Sequence, residues 1–418
     1  MSFEHCMRCT VCVENCPVAK VEPRFPGPKQ AGPDAQRFRL DGEKSVDAWV
    51  NYCSHCMRCQ VACPYGVEVA DIILKARLKY SKEHFSPLSS HLFANAYHLS
   101  KMGSLAAPVM NRITPLPVFK QAMGLLGVSD VPDLPEFRFL SLERTRRSKG
   151  RGRRVVFFHG CHLNFNRPDI GRKAIDLLVA FGCRVAIPRQ QCCGLPALGN
   201  GDLEMARKFA LKNASMLTRY VNRGFDVVYS CPSCGLTLTR EYPGILDVPG
   251  ARKVAENTYH IFEYLLPLVQ DRLDAKGLRS IGRVEASIAY HVPCHLRALG
   301  IGYPSVGLFE MIDGLSFTVL DNDCCGLSGT YGFKKRNRET AAKLGAIAAG
   351  AVRETGCELV VSDCGACRIQ LGHYAAMPAM DPIEIVADAV SSGPLANKRR
   401  TLAERVASLF PSIKGGTP

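Results

Sequence analysis

Arg154-Val-Val-Phe-Phe-His159 runs directly into Gly160-Cys161-His162. A short apolar run rich in β-branched and aromatic residues, ended by glycine, reads as a buried strand. Asp226-Val-Val-Tyr-Ser230 repeats the pattern and meets Cys231. Segments of helical period lie around such runs, at Asp169 to Phe181, Asp202 to Val221 and Lys334 to Glu354. Strands separated by helices of that length predict βαβ units and parallel sheet, so residues 155–390 are expected to be α/β.

The cysteines of this region reveal a duplication. One half reads Cys161, Cys192-Cys193-Gly194, Cys231-Pro-Ser-Cys234; the other reads Cys294, Cys324-Cys325-Gly326, Cys364-Gly-Ala-Cys367. The first cysteine precedes the pair by 31 and 30 residues, and the pair precedes the last motif by 38 and 39. Agreement that close predicts two copies of one domain, 155–285 and 286–390. Cys161, Cys231, Cys294 and Cys364 each follow a predicted strand, at the end where ligands collect in an open parallel sheet. The glycine after each pair is expected to let backbone approach a bulky group.

Five thiols per copy is one more than a tetrahedral zinc or an iron–sulfur cube takes, and neighbouring side chains on an extended backbone diverge. Five thiolates suit an open, non-cubane iron–sulfur assembly in which one sulfur bridges two irons, with zinc in one copy as the alternative. Cys183 and Cys357 fall outside the pattern and read as core residues. His159, His162, His291 and His295 flank the first cysteine of each copy, either as structural residues or as hydrogen-bond and proton partners of a cluster. Gly329 to Lys335 reads either as an anion-receptive loop at a helix start or as a plain loop and cap.

Residues 1–80 carry two runs of one spacing, Cys6, Cys9, Cys12, Cys16-Pro17 and Cys53, Cys56, Cys59, Cys63-Pro64. In such bacterial-ferredoxin runs the fourth cysteine ligates the other cube. The expected sets are therefore Cys6, Cys9, Cys12 and Cys63 for one cubane 4Fe-4S cluster, and Cys53, Cys56, Cys59 and Cys16 for the other. The proline is expected to stop the turn from continuing as helix. Zinc is again the alternative ligand. Two cubes side by side carry single electrons and do no substrate chemistry, and no catalytic residue is assigned. The predicted architecture is a small helical ferredoxin-like di-cluster domain followed by a duplicated α/β cysteine-rich domain.

Residues 81–154 hold no cysteine and form a connector. From Pro87 to Val128 it is apolar, interrupted by Pro108, Pro115 and Pro117; from Arg144 to Arg154 it holds seven Lys or Arg. The apolar part is expected either to lie on a membrane or partner surface or to pack on the protein's own body, and the basic run is a solvated linker or a lipid or partner contact. The tail, 391–418, looks helical and then frays.

The chain has 418 residues, with 53 Lys+Arg against 38 Asp+Glu for a net charge of +15, and is 47% hydrophobic and 22% charged. That composition excludes disordered, collagen-like and coiled-coil classes. No apolar stretch is long enough to span a bilayer. Trp49 is the only tryptophan and no basic stripe interleaved with aromatics is present, so nucleic acid is not expected as a partner. Nothing in Met1 to Thr10 marks the chain for secretion, which favours reduced thiols and metal binding over disulfides among the twenty cysteines. No Gly-x-Gly-x-x-Gly opens a helix after a strand, so no NAD or flavin site of its own is expected; substrate oxidation would occur on a partner.

Pro26-Gly-Pro-Lys-Gln-Ala-Gly-Pro-Asp34 followed by Arg37-Phe-Arg-Leu40, and Cys324-Cys-Gly-Leu-Ser-Gly-Thr-Tyr-Gly-Phe-Lys-Lys335, carry a resemblance. Over nearly its whole length the chain resembles the C subunits of anaerobic glycerol-3-phosphate dehydrogenase. The wider superfamily includes heterodisulfide reductase subunits and the iron–sulfur subunits of glycolate and lactate oxidases. The resemblance implies an electron-transfer subunit that takes electrons from a flavoprotein oxidising sn-glycerol 3-phosphate to dihydroxyacetone phosphate and passes them to menaquinone. It implies a peripheral position at the cytoplasmic face of the inner membrane. It also implies non-cubane 4Fe-4S clusters on Cys161, Cys192, Cys193, Cys231 and Cys234, and on Cys294, Cys324, Cys325, Cys364 and Cys367. A thiol or disulfide reductase of the heterodisulfide type, or a lactate or glycolate oxidase subunit, is the alternative.

Overall fold

The computed structural model describes residues 2–39, 42–145, 150–321 and 324–392. The expected helical tail from residue 393, and residues 146–149 of the basic run, lie outside the described residues. Strands β1 (Arg153–Phe158), β2 (Cys183–Ala186), β3 (Asp226–Tyr229) and β4 (Thr258–His260) form one sheet in the order β2-β1-β3-β4. Strands β5 (Gly282–His291), β6 (Ile312–Leu320), β7 (Leu359–Val361) and β8 (Ala379–Met380) form the second in the order β6-β5-β7-β8. All pairings within them are parallel. Parallel strands covered on both faces need no polar alternation, and Val155, Val156, Phe157 and Phe158 are accordingly all buried.

Each copy is an α/β unit whose chain leaves the central strand, β1 or β5, on one side and returns on the other. That reversal opens a crevice at the strand ends. Helix Pro168–Ala180 covers the first sheet with Ile170, Ala174, Ile175, Leu177 and Leu178, a 3.6-residue stripe. In the second copy, helix Pro382–Ser391 buries Ile383, Ile385, Val386 and Ala389, and its start is fixed by reciprocal 3.0 Å bonds between Asp381 and the Ile383 N–H and between Glu384 and the Asp381 N–H. These two helices pack on each other, with Arg167 joined to Glu384 at 2.9 Å, so the copies share one hydrophobic core.

The glycine after each cysteine pair has a different role from the expected one. Gly194 and Gly326 adopt φ +100° and +89°, and a Cβ there would meet the Ala206 carbonyl at 3.2 Å or the Ala341 carbonyl at 2.7 Å. It is the helix that follows, Leu203–Val221 or Arg338–Glu354, that approaches closely.

The N-terminal domain is built of short turns around helix Val69–Glu83, which continues past residue 80. Its core joins Val18, Phe25, Ile72 and Ile73 to Leu236 of the first copy and Leu344 of the second. Both cysteine runs use left-handed backbone at equivalent non-glycine positions, Arg8 and Thr10 in the first, His55 and Met57 in the second. Such strained residues bend a chain back on itself and persist only where the surroundings dictate them. Helix Val11–Glu14 ends before the extended Cys16, and Pro17 then opens the next helix, Pro17–Val21.

The Pro26–Asp34 motif is held from the side. Arg39 bonds Asp47 at 2.6 Å and the Ala31 carbonyl at 2.6 Å, with both charged side chains largely buried. Removing one member of such a pair leaves the other charge buried. Arg39→Ala is expected to destabilise the holo-protein by about 3 kcal/mol in urea denaturation, and an unchanged midpoint would remove this role.

The apolar part of the connector is four short helices, Leu88–Ala94, Ala96–Leu105, Ala107–Ile113 and Pro117–Leu125, with Pro108 and Pro117 in first turns where no donor is lost. It is fastened to the body by Tyr97, which donates to the Gln190 carbonyl at 3.0 Å, and within the connector Asn111 bonds the Phe137 backbone in both directions. Its outer side leaves Met102, Leu105, Val109, Val118 and Leu125 exposed. Part of the segment thus packs on the protein's own body, as one of the two expectations has it. Among the described residues no helix is long and apolar enough to cross a membrane.

Candidate metal centres

Four groups of cysteines converge. Cys6, Cys9, Cys12 and Cys63 line one small cavity, and Cys16, Cys53, Cys56 and Cys59 line another. Burial, and then the neighbouring Cys6 and Cys63, push the Cys12 thiol up to about 11. Burial and Cys56 push Cys16 up as well. Thiols packed this closely resist ionisation until a cation shares their charge, so the donor sets fit iron–sulfur clusters.

In the first copy the thiols form a chain of contacts from Cys161 through Cys192, Cys193 and Cys234 to Cys231. In the second the chain runs Cys294, Cys324, Cys325, Cys367, Cys364. The central sulfur of each, Cys193 or Cys325, is drawn well below its ordinary thiol value because the thiols on both sides donate to it. The backbone N–H of Gly194 donates to Cys192 Sγ at 3.5 Å and that of Gly326 to Cys324 Sγ at 3.4 Å. Five soft donors, one of them a central thiolate, with backbone N–H groups aimed at sulfur, are suited to an iron–sulfur assembly larger than one ion. Cys183 and Cys357 are buried in the cores and belong to neither chain.

The groups are not equivalent in position. All five cysteines of the second copy are buried, whereas Cys161 and Cys231 of the first are partly open. Cys56 of the N-terminal domain is in hydrogen-bonding contact with Cys294, and the two cluster with Cys324 in one buried patch. A cavity of about 230 Å³ separates the copies, bordered by Cys161, Cys193 and Cys231 on one side and Cys364 on the other.

The flanking histidines tie these loops together. His295 Nδ1 meets Ser233 Oγ at 2.8 Å and its Nε2 meets the His55 carbonyl at 2.9 Å. One imidazole thus links loops of both copies and the N-terminal domain. Burial lowers its affinity for a proton, which leaves one ring nitrogen to donate and the other to accept. His162 reciprocates by packing on Gly365, where a Cβ would come within 2.7 Å of the ring. Burial pushes His162 down to about 3. His159 lies 3.5 Å from Glu143, and His291 is fully buried.

Sequence reasoning missed three residues. Arg77 donates to the carbonyls of Val50, Cys53 and Gly199, clamping the second cysteine run. Asp363 receives Tyr290 at 2.6 Å and Ser305 at 2.7 Å beside Cys364. Glu241 faces His55 at 3.9 Å, both buried. A run of positive charge in the pattern around Arg77, or an acidic residue in an otherwise apolar stretch, was the only local signal available for them.

Burial and the nearby Asp71 push the Glu241 carboxyl up to about 8. An acid whose folded value is raised binds its proton more tightly in the native state, so stability falls as pH rises from the unfolded value of 4.5 through 8. Glu241→Gln, neutral throughout, should gain on the parent over that window, by on the order of 5 kcal/mol at most. Equal denaturation midpoints of the two proteins at pH 6 and pH 9 would contradict this.

Comparison with known proteins adds three kinds of likeness. Residues 2–67 match the 4Fe-4S dicluster domain model, and residues 155–239 and 288–372 each match the cysteine-rich domain model. The chain is 36% identical over 403 residues to the C subunit of the anaerobic glycerol-3-phosphate dehydrogenase of Escherichia coli strain K12, covering 93% of this chain and 99% of that protein. It is 26% identical over 378 residues to the B subunit of the fumarate reductase (CoM/CoB) of Methanothermobacter marburgensis, covering 88% of this chain and 67% of the relative. It is 30% identical over 230 residues to lactate utilization protein A of Bacillus subtilis, covering 52% and 90%.

Proposed function

The chain belongs to the family of anaerobic glycerol-3-phosphate dehydrogenase C subunits, and from that premise we propose that it is the iron–sulfur subunit carrying electrons from a flavoprotein dehydrogenase to quinone. Cys6, Cys9, Cys12 and Cys63 would hold one cubane cluster and Cys53, Cys56, Cys59 and Cys16 the other. Cys161, Cys192, Cys193, Cys231 and Cys234, and Cys294, Cys324, Cys325, Cys364 and Cys367, would each hold a non-cubane 4Fe-4S cluster. Bound iron–sulfur clusters accept and release single electrons.

The contact of Cys56 with Cys294 carries this reading. It joins the second ferredoxin group to the second copy directly, and supports an order of first ferredoxin set, second ferredoxin set, second copy and first copy in this proposal. Arg77 and His295 keep the loops at this junction in one geometry, which a passage of electrons between fixed centres requires. The open side of the first copy and the cavity between the copies are where a small acceptor would arrive. The substrate oxidised by the partner is sn-glycerol 3-phosphate in this proposal, the acceptor is menaquinone, and the exposed apolar side of the connector rests on the cytoplasmic face of the inner membrane.

The test is single-turnover reoxidation of anaerobically reduced holo-protein. Mixing with a soluble menaquinone analogue should reoxidise the iron–sulfur signals with two electrons and two protons taken up per quinol formed. Reoxidation by an organic disulfide but not by the quinone analogue would transfer the function to the thiol-reductase alternative, which the cavity between the two thiol sets favours.

A further inference from the structure

We propose that the protein carries an oxyanion site of the phosphate class, built by Arg77, Lys334 and Arg336 where the N-terminal domain, the connector and the second copy meet; the same three residues also border the cavity between the copies. The three side chains line a cavity of about 210 Å³ together with Asn51, Ser81 and Ser90. At about 30 Å³ per water that volume holds on the order of seven waters, room for a phosphate monoester. No carboxylate lines it.

Cations gathered without a counter-charge are costly, the more so when buried. Lys334 is 4% exposed and Arg77 5%. Arg77 bonds the carbonyls of Val50, Cys53 and Gly199 and the Cys53 thiol, and no ion pair of Lys334 or Arg336 is found among the described residues. Burial, with Arg336 and Arg77 repelling it, holds the Lys334 amine down to about 6. The other titratable groups facing this space are Tyr80 of helix Val69–Glu83 and His84, which follows it; on the side of the cavity between the copies the three cations share its lining with Tyr331, Asp363 and Asp381. A bound oxyanion provides the missing charge, and the serine hydroxyls and Asn51 amide provide donors for its remaining oxygens.

Lys334 belongs to the Gly329–Lys335 loop, whose anion-receptive reading in the sequence rested on a helix start. In the structure the loop forms turns, and the Lys334 side chain is the receptive group. Its backbone is fixed by the bridge to Val128 and by the Lys335 N–H donating to the Gly127 carbonyl at 2.9 Å, so the lysine is anchored at the end of the connector. Phe85, 94% exposed, lies at the same cavity. A free phosphate ester and a phospholipid headgroup bring the same chemistry to this position.

Sulfate is the first probe, because it has no ionisable proton near neutral pH. Calorimetric titration of the holo-protein in buffers of different ionisation enthalpy should give saturable binding with uptake of close to one proton at neutral pH, as Lys334 becomes charged. Lys334→Gln should weaken binding about tenfold to a hundredfold and abolish the uptake. Lys334→Arg, which keeps the charge, should bind without uptake and covers the case in which the glutamine variant loses its iron. Arg336→Gln should weaken binding and leave the uptake in place. Absence of saturable binding to the parent, or uptake that persists in Lys334→Gln, would overturn the site. Flotation with phosphatidylglycerol vesicles separates the sources: loss of vesicle binding on adding sulfate, or in Lys334→Gln, identifies a headgroup, and vesicle binding indifferent to both identifies a free anion.

Discussion

Cys63→Ala is expected to abolish the cluster of the first cysteine run, although Cys63 stands at the end of the second. Cys12 is crowded by Cys6, Cys63 and Cys9, and the same four cysteines border one cavity, while Cys16 lies with Cys53, Cys56 and Cys59 in the other. About four of some sixteen irons per chain should be lost, together with one of the two cubane signals in the EPR spectrum of the reduced protein. Cys16→Ala should remove the other signal. Because the second set touches Cys294, Cys16→Ala should also cut the supply of electrons to the duplicated domain, whereas Cys63→Ala should leave an electron injected at the second set free to reach it. Loss of the signal belonging to Cys53, Cys56 and Cys59 in Cys63→Ala would contradict the crossed arrangement.

Cys325→Ser is expected to empty the second copy and nothing else. Cys325 is the middle of five contacting thiols and the one whose charge its neighbours stabilise, so an alcohol there removes the donor shared by both halves of the set. The iron content should fall by about four with both cubane signals retained. Electrons should then halt at the second ferredoxin set, and reoxidation by the quinone analogue should become slow while dithionite reduction of the cubanes stays fast. Cys357→Ser, a core residue outside the set, should keep its full iron. Unchanged iron and reoxidation rate in Cys325→Ser would remove the second copy from the path.

Much of this arrangement was legible in the sequence because its signals are local. The strand ahead of Cys161 was readable from four consecutive buried apolar residues, and the duplication from two spacings that agree within one residue. The family resemblance rested on Pro26 to Asp34 and Cys324 to Lys335, which the structure shows to be a clamped helical segment and an interdomain loop. Ser328 of that loop donates to the Ser54 carbonyl at 2.7 Å, and Asn200 donates to Thr330 at 2.8 Å. What stayed hidden are the meetings of distant elements. Cys56 and Cys294, or His295 and Ser233, come together only once two sheets, a helix and the ferredoxin turns have docked, and no periodicity encodes that. Gly194 and Gly326 show the same limit: their presence was notable in the sequence, yet the reason, a carbonyl of the helix that follows, required the packing.

The proposed function requires that the four groups of cysteines hold four iron–sulfur clusters. Iron, acid-labile sulfide and zinc should be counted per chain on anaerobically purified protein, with EPR of its reduced and oxidised forms. About sixteen irons with matching sulfide, two cubane signals and a further signal from the duplicated domain are the predicted result. About eight irons, with or without zinc, would contradict it, confining the clusters to the ferredoxin domain and leaving the thiols of both copies to other chemistry.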